Sequence, residues 1–558
     1  MWQQGWRDQL WSELDQEWDL IIIGGGITGA GVLREAVRAG LHALLIDRQD
    51  FAAGTSSRSS KLVHGGLRYL RSGQISTTVS SVHERERLLQ EGDGLVTPLG
   101  FLYAGYEGDK MPLWMLGLGL TIYDFLGLRR GHKRYDPSGL IALAPGLRRA
   151  ELAGGYRYFD AQTDDARLVL RIIRESVMAG GRAINYVKAR HVLRGTNGGV
   201  CGVAVEDVSE RGFRRSTEIF APAVVNATGA WADGLRTQVG GSKRLRCLRG
   251  SHLVFQSADF PLARAVSFAH PFDGRPIFAL PWEGVTLFGT TDVDHGGMGI
   301  REPGIDSMEL EYLMQAVGYG FSDLGLDERD ILSTFSGVRA VVNTGKADPS
   351  KESREHILWN EDGLLTVTGG KLTTFRLMAR DVLKVIRRIG TRRIKMGNAR
   401  ALDGPVDLEP LTAVDSYLRQ RLAGRYGQEA LAVIQAAAPG ELAAIDEKLG
   451  RVALLAELRW AARAEGVVHL QDLLLRRVRL GYLLPRGGLD HIETIRAIVQ
   501  PELGWDNERW SRELLAYRRQ WHEFYAPPGK RGRQPDLEQV SKTTEVETAS
   551  RDLVYPRA

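Results

Sequence analysis

The spacing of apolar residues changes several times along the chain, and each change predicts an element. DLIII (Asp19 to Ile23) is a short apolar run of the kind shown by a strand covered on both faces. The glycine turn GGGITG (Gly24 to Gly29) follows, then AGVLREAVRA (Ala30 to Ala39), a helix stopped by Gly40. A second strand, Ala43 to Ile46, ends on Asp47. DDARLVLRIIRESVMAGG predicts a strong helix, with Asp164 and Asp165 in its first turn and a stop at Gly180. VVNATG (Val224 to Gly229) reads as a buried strand ending in a glycine turn. RPIFALPW and GVTLFGTTD, between Arg275 and Asp292, suggest antiparallel strands. After Gly404 and Pro405 the pattern becomes purely helical, as in VHLQDLLLRRVRLGYLL and NERWSRELLAYRRQWHEFY. Beyond Pro527 and Pro528 the chain turns polar, which predicts a disordered tail.

Two further segments each allow two readings. Met111 to Leu128 is the most apolar run, and Arg129, Arg130, His132, Lys133 and Arg134 follow it. Pro112, three glycines and Asp124 argue against a membrane-spanning helix. An apolar surface helix flanked by cations fits contact with one leaflet of an anionic membrane, and a buried helix with a solvated basic turn fits equally. At the N-terminus, Trp2, Trp6, Leu10 and Leu14 fall on one broad helical face. That face suits either a membrane interface or the protein's own surface, and Asp8, Glu13, Asp15 and Glu17 favour the second. The same acids exclude a transit peptide, and no basic region precedes an apolar core as in a signal peptide.

Composition narrows the class. A length of 558 residues predicts two or three domains, and 43% apolar with 25% charged residues is ordinary for a soluble globular protein. Cys201 and Cys247 are the only cysteines, which excludes a disulfide framework or a cysteine-rich metal centre and points to a reducing compartment. The net charge of +5 suits anionic metabolites or an anionic membrane surface. It is too small and too dispersed to indicate nucleic acid.

Candidate chemistry gathers in three clusters. In the first, Gly24 permits the tight turn, Gly26 lets backbone approach a pyrophosphate, and Gly29 lets helix and strand pack closely. The helix N-terminus behind Gly25, Ile27 and Thr28 faces the phosphates, and Asp47 stands where a carboxylate accepts bonds from an adenosine ribose. The second cluster is TSSRSSKLVHGGLRYL. Its hydroxyls at Thr55, Ser56, Ser57, Ser59 and Ser60 suit a pyrophosphate or ribose, and Gly65 and Gly66 suit a flat ring. His64, Arg68 and Tyr69 add a titratable base, a permanent cation and a phenol. The third cluster pairs SGVRAVVN with VTGGKLTTFR. There a helix start near Gly370, Lys371 and Leu372 can face a flavin's pyrimidine edge, and Arg339 can bind a carboxylate or phosphate through two bonds.

These strings, with GGGITGAG, DDARLVL, NATGAW, RGSHLVF and LFGTTDVD, resemble the FAD-dependent sn-glycerol-3-phosphate dehydrogenase family. The motifs run in the family's order from about residue 18 to 376, and the helical region to about 525 resembles its C-terminal domain. The resemblance implies an α/β fold: a glutathione-reductase-like, Rossmann-type FAD-binding domain interleaved with an antiparallel-sheet substrate domain of the D-amino-acid-oxidase kind, plus an all-α C-terminal domain. The expected divisions are an N-terminal extension over 1–17, an FAD domain over 18–110 with 180–245 and 330–390, a substrate and membrane-facing domain over 111–179 with 246–329, a helical domain over 405–527 and a tail over 528–558. Two departures stand out: Asp47 replaces the family's usual Glu, and Ala340 the Pro that often follows the arginine.

The resemblance further implies oxidation of sn-glycerol 3-phosphate to dihydroxyacetone phosphate by hydride transfer to FAD. Electrons would pass to a membrane quinone, from a cytoplasmic enzyme held peripherally on the inner face of the membrane, with a homodimer allowed. For that chemistry His64 is the leading candidate base, because an imidazole is available near pH 7, with Arg339 and Lys371 catalytic and substrate-binding on the developing alkoxide or the phosphate, and Arg68 and Tyr69 resemble family residues lining the phosphate pocket. Lys61, Val187, Ala227, Thr228, Gly229 and Trp231 join the residues named above as cofactor contacts, and no metal is expected. Three alternatives remain: an oxidase of the same substrate using O₂, an amine or amino-acid oxidase of the wider superfamily, and a flavin-binding scaffold without turnover.

Overall fold

The computed structural model describes every residue except 1, 68–74, 127–130, 211–214, 297–301, 346–351, 353–354, 390–393, 398, 448, 450–452 and 532–558. A six-stranded sheet carries the glycine turn at its centre. Its order runs Ile357–Glu361, Leu364–Thr368, Val224–Asn226, β1 (Leu20–Ile23), β2 (Ala43–Ile46), Arg182–Ile184. Neighbours are parallel except at the Ile357–Glu361 edge, and Ile23 pairs with both Ile46 and Asn226. Every residue of β1 and β2 is apolar and buried, because layers cover both faces. On one side lies α1 (Ile27–Arg38), flanked by the helices Asp165–Met178 and Phe375–Ile389.

On the other side Leu10, Leu14 and Trp18 join Ile21 and Ile23 in one core with the three-stranded sheet that contains Val203, Val205 and Ile219. The N-terminal segment therefore docks on its own protein. Trp2 is buried against Phe51, with ring centroids 5.2 Å apart. Only the short stretch Trp6–Ser12 is helical.

A second, larger sheet is mostly antiparallel. Its long strands β3 (Leu245–Gln256) and β4 (Ile331–Val342) pair over nearly their whole length, with Arg339 opposite Leu248 and Phe335 opposite His252. From β3 the order continues through Val285–Gly289, Pro276–Trp282, Ala265–Ala269, Val96–Tyr106 and Leu152–Thr163 to Leu62–Val63. The elements group in two ways that differ from the expected division of the chain. Val96–Tyr106 and β4 belong to this sheet, whereas Asp165–Met178 packs on the glycine-turn helix. Strand pairing across long sequence gaps decides the first, and the buried apolar face of the helix decides the second.

The most apolar run forms a helix, α2 (Leu113–Leu126), which turns Leu116, Leu120 and Tyr123 inward. Trp114, Leu118, Ile122 and Phe125 remain exposed, the last at 79%. No helix among the described residues is long and apolar enough to cross a membrane. The C-terminal region is helical, with Ser416–Tyr426, Leu455–Ala464, Ile492–Leu503 and Asn507–Phe524 as its longest members. VHLQDLLLRRVRLGYLL is not one helix: Arg479, at φ 63°, breaks it into short turns. That break lets Arg476 and Arg477 reach Asp50 while Arg479 reaches Asp165. The polar tail expected over 528–558 lies outside the described residues from 532 onward.

Candidate active site

One cavity of about 1750 Å³ runs from the glycine turn to the junction with the large sheet. That exceeds the roughly 300–1,000 Å³ usual for a single small ligand, so it has room for a dinucleotide and a second molecule. At one end the turn is built for close approach: a Cβ at Gly29 would stand 1.8 Å from the Gly24 carbonyl oxygen. Gly26 precedes α1 in extended conformation, and the Ile27 N–H donates to Ser56 Oγ at 2.9 Å. Asp47 accepts from the N–H groups of Gly25 at 2.6 Å and Gln49 at 2.7 Å. Burial nevertheless pushes its carboxyl up to about 6, against those bonds. Arg48 stacks its guanidinium 4.8 Å from the Trp231 ring, and both form cavity wall.

The serine-rich loop forms the next wall. Thr55, Ser56, Ser59, Ser60 and His64 all face the cavity, as do Ala227, Thr228 and Gly229 opposite. Ser59 Oγ donates to Asp165 at 2.7 Å, and Ser60 Oγ lies 2.9 Å from His252 Nε2. The Gly65 N–H donates to Asp160, a buried carboxylate that also holds Arg85 at 2.9 Å and the Tyr123 hydroxyl of α2.

The far end is cationic. Arg339, on β4, donates to the Thr291 carbonyl at 3.1 Å and stands 3.7 Å from Asp292. Lys371 follows Gly369 and Gly370, both at φ 75°, and donates to Ser81 Oγ at 3.0 Å just before the helix Phe375–Ile389. Thr373 Oγ1 donates to the His64 carbonyl at 3.3 Å, joining this turn to the serine loop.

Most expected residues therefore meet at one cavity, Gly24, Gly26, Ile27, Thr28, Asp47, Trp231, Gly370 and Leu372 among them. Gly25, Gly29, Gly65 and Val187 stand behind its walls as backbone supports; the Val187 N–H, for instance, donates to the Asp47 carbonyl at 2.7 Å. Lys61 needs a correction. Its side chain is buried away from the cavity, and Nζ donates to Asp165 at 2.9 Å and to the Ser57 carbonyl at 2.7 Å. A lysine in a polar loop reads as a ligand contact, but the loop turns this one toward the protein interior. Arg68 and Tyr69 lie outside the described residues.

His252 is a cavity residue that the sequence alone did not point to. It sits within the apolar run of β3, its ring stacked on Phe335 at 4.6 Å and 8°. Burial, then the charges of Lys61 and Arg339, hold its imidazole well below the usual range and so neutral. Its Nδ1 is buried without a hydrogen-bond partner among the described residues. A histidine inside an otherwise apolar strand was the available signal.

The residues present fit an FAD: the glycine turn would take its phosphates, the Asp47 carboxylate its ribose, and the helix start carrying Lys371 its flavin. Comparison with known proteins agrees. The family described as FAD dependent oxidoreductase matches residues 19–379, and that described as C-terminal domain of alpha-glycerophosphate oxidase matches 384–510. An aerobic glycerol-3-phosphate dehydrogenase of Staphylococcus saprophyticus is 32% identical over 540 residues, spanning 91% of this chain and 96% of that protein. The Bacillus subtilis protein of the same name is 37% identical over 388 residues, 68% of this chain and 69% of its own. The crystal structure of the Bacillus halodurans glycerol-3-phosphate dehydrogenase complexed with FAD superposes with a TM-score of 0.75 at 27% identity, covering 93% of this chain and 98% of that one.

Proposed function

This chain belongs to the family of FAD-dependent aerobic glycerol-3-phosphate dehydrogenases, and from that membership we propose that it oxidises the C2 alcohol of sn-glycerol 3-phosphate to the ketone of dihydroxyacetone phosphate and passes the electrons to a membrane quinone. The observation that carries the reading is the convergence of Arg339, Lys371, His64 and His252 on one cavity with the dinucleotide turn. When bound, FAD supplies a two-electron acceptor. The side chains do the rest. Arg339 and Lys371 bind the substrate's phosphate or the oxygen that becomes anionic as its proton leaves.

In this reading His64 or His252 takes that proton, and a positioned base contributes about 10²–10⁴-fold. His64 lies between the serine loop and the Lys371 turn. His252 is neutral and fixed on Phe335, and its bond to Ser60, itself in the cavity wall, offers a path for the proton. Quinone rather than O₂ as acceptor draws support from α2. The helix that lines the cavity with Met115, Leu118 and Ile122 also exposes Trp114 and Phe125 outward; Phe272, at 84% exposure, and the cations Lys133 and Arg134 are exposed too. Such side chains would hold the enzyme on an anionic membrane.

Anaerobic mixing with sn-glycerol 3-phosphate, followed by flavin absorbance, tests the substrate. Bleaching is expected, and a spectrum indifferent to the phosphate ester but bleached by an amino acid would overturn the reading. Peroxide formation at the full turnover rate without quinone would identify O₂ as the acceptor instead.

A further inference from the structure

Lys61 takes no part in the chemistry above, yet it occupies one of the most enclosed positions in the molecule, with 1% of its surface exposed. Burying an ammonium costs free energy unless a counter-charge needs it. Asp165 does not lack cations, because Arg479 already donates to it at 2.7 Å. Neutralising Asp165 therefore does not by itself explain a second cation at this place. What Lys61 adds is position: Nζ lies 4.8 Å from the centroid of Phe335, and the His252 ring lies 4.6 Å from the same centroid, nearly parallel to it. The residue just before it in the chain, Ser60, is the hydrogen-bond partner of His252 Nε2.

We propose that Lys61 is a positioning residue for His252: its ammonium, fixed by Asp165 and the Ser57 carbonyl, sets a positive charge against Phe335 that opposes a second positive charge on the imidazole stacked there, while its backbone holds Ser60 on Nε2. The inference rests on the reading of this cavity as the catalytic site. The charged groups around the stack come from every side. Arg339 reaches His252 from β4 and is partly balanced by Asp292. Glu309 sits beyond Ser251, balanced by Arg249 at 2.8 Å. Asp164, Asp165 and Arg479 surround Lys61, and Tyr482 meets the edge of Phe335. Burial and Arg479 pull the Lys61 ammonium down to about 7 against the pull of Asp165. It therefore keeps its proton throughout the more acidic range in which His252 titrates.

The test uses flavin-loaded enzyme carrying ¹³C-labelled histidine, with the His252 resonance identified by its loss in His252→Gln. In Lys61→Met the His252 titration is expected to move up by about one unit, a tenfold gain in proton affinity. Lys61→Gln keeps an amide donor for Asp165 and carries the same expectation where the Met variant does not fold. Lys61→Arg should return the titration toward that of the wild type. The proposal is overturned if the neutral variants titrate His252 as the wild type does, or if Lys61→Arg shifts it as far as Lys61→Met, which would mark lost packing rather than lost charge. The catalytic reading is judged separately: wild-type flavin reduction by sn-glycerol 3-phosphate in His252→Gln would remove His252 from proton transfer and leave the titration result standing.

Discussion

Asp47 shows how burial makes one side chain sensitive to pH. Its carboxyl sits at about 6 in the folded chain, above the roughly 3.9 of an unfolded Asp, because desolvation outweighs two backbone hydrogen bonds. A group raised in this way favours the folded state when protonated, so its contribution fades as pH rises from about 4 to 6. Ribose hydroxyls donating to the carboxylate would reverse that preference. FAD affinity is accordingly expected to rise with pH through 6 and then level off, which titration of apoprotein with FAD at several pH values will check; a flat profile would mean that the ribose does not engage Asp47. At the cationic end, Arg339→Ala is expected to raise KM for sn-glycerol 3-phosphate about tenfold or more, as loss of a charge-assisted hydrogen bond does. Equal losses with unphosphorylated glycerol would show that the guanidinium is no anion anchor. Single residues were legible in the sequence where local backbone dictates their place, as in the turn from Gly24 to Gly29. Lys61 and His252 were not, since the inward turn of a loop and the pairing of β3 with β4 decide where they point.

At the scale of elements the same contrast holds. β1, α1 and β2 follow from local periodicity and glycine placement, and each ends within a residue or two of the expected position. The large sheet does not, because partners such as Val96–Tyr106 and Leu152–Thr163 are separated by two intervening helices, Leu113–Leu126 and Pro137–Leu143, and its strand order is a long-range property. Periodicity also left two fates for α2. Its inward face is narrow, and the exposed Trp114, Leu118, Ile122 and Phe125 form a contiguous stripe that ordinary surfaces seldom leave uncovered. Trp114→Glu with Phe125→Glu should reduce co-sedimentation with anionic lipid vesicles by about thirtyfold or more, since lost burial on the order of 1–2 kcal/mol per side chain and charge repulsion both weaken binding. Undiminished sedimentation would place membrane contact elsewhere. Anaerobic flavin reduction by substrate should be unaffected, since neither side chain lines the cavity.

Across the whole molecule, buried ions join segments far apart in sequence. Asp50, just past β2, accepts from Arg476 at 2.5 Å and from Arg477 at 2.7 Å. Those guanidinium groups outweigh the burial that opposes them and hold its carboxyl far below the ordinary range. A lowered carboxyl stabilises the fold above the unfolded pKa and loses that contribution only as pH falls through its folded value, so the link persists in mild acid. Asp50→Ala leaves two buried cations short of a partner and is expected to cost about 3–5 kcal/mol, read as a lower denaturation midpoint; a change under 1 kcal/mol would show that water replaces the carboxylate. The helical region also shares its apolar core with the large sheet, Leu473 and Trp510 lying in one cluster with Phe335 and Leu280. By contrast, the backbone that joins the two parts around Gly404 and Pro405 is irregular, and Pro405, Asp407, Leu408, Glu409 and Pro410 are exposed. The covalent link there is thus dispensable in a way the interface is not. If the chain were cut between those residues and the two pieces produced together, they should reassemble and co-purify, yellow, while the C-terminal piece produced alone should be insoluble.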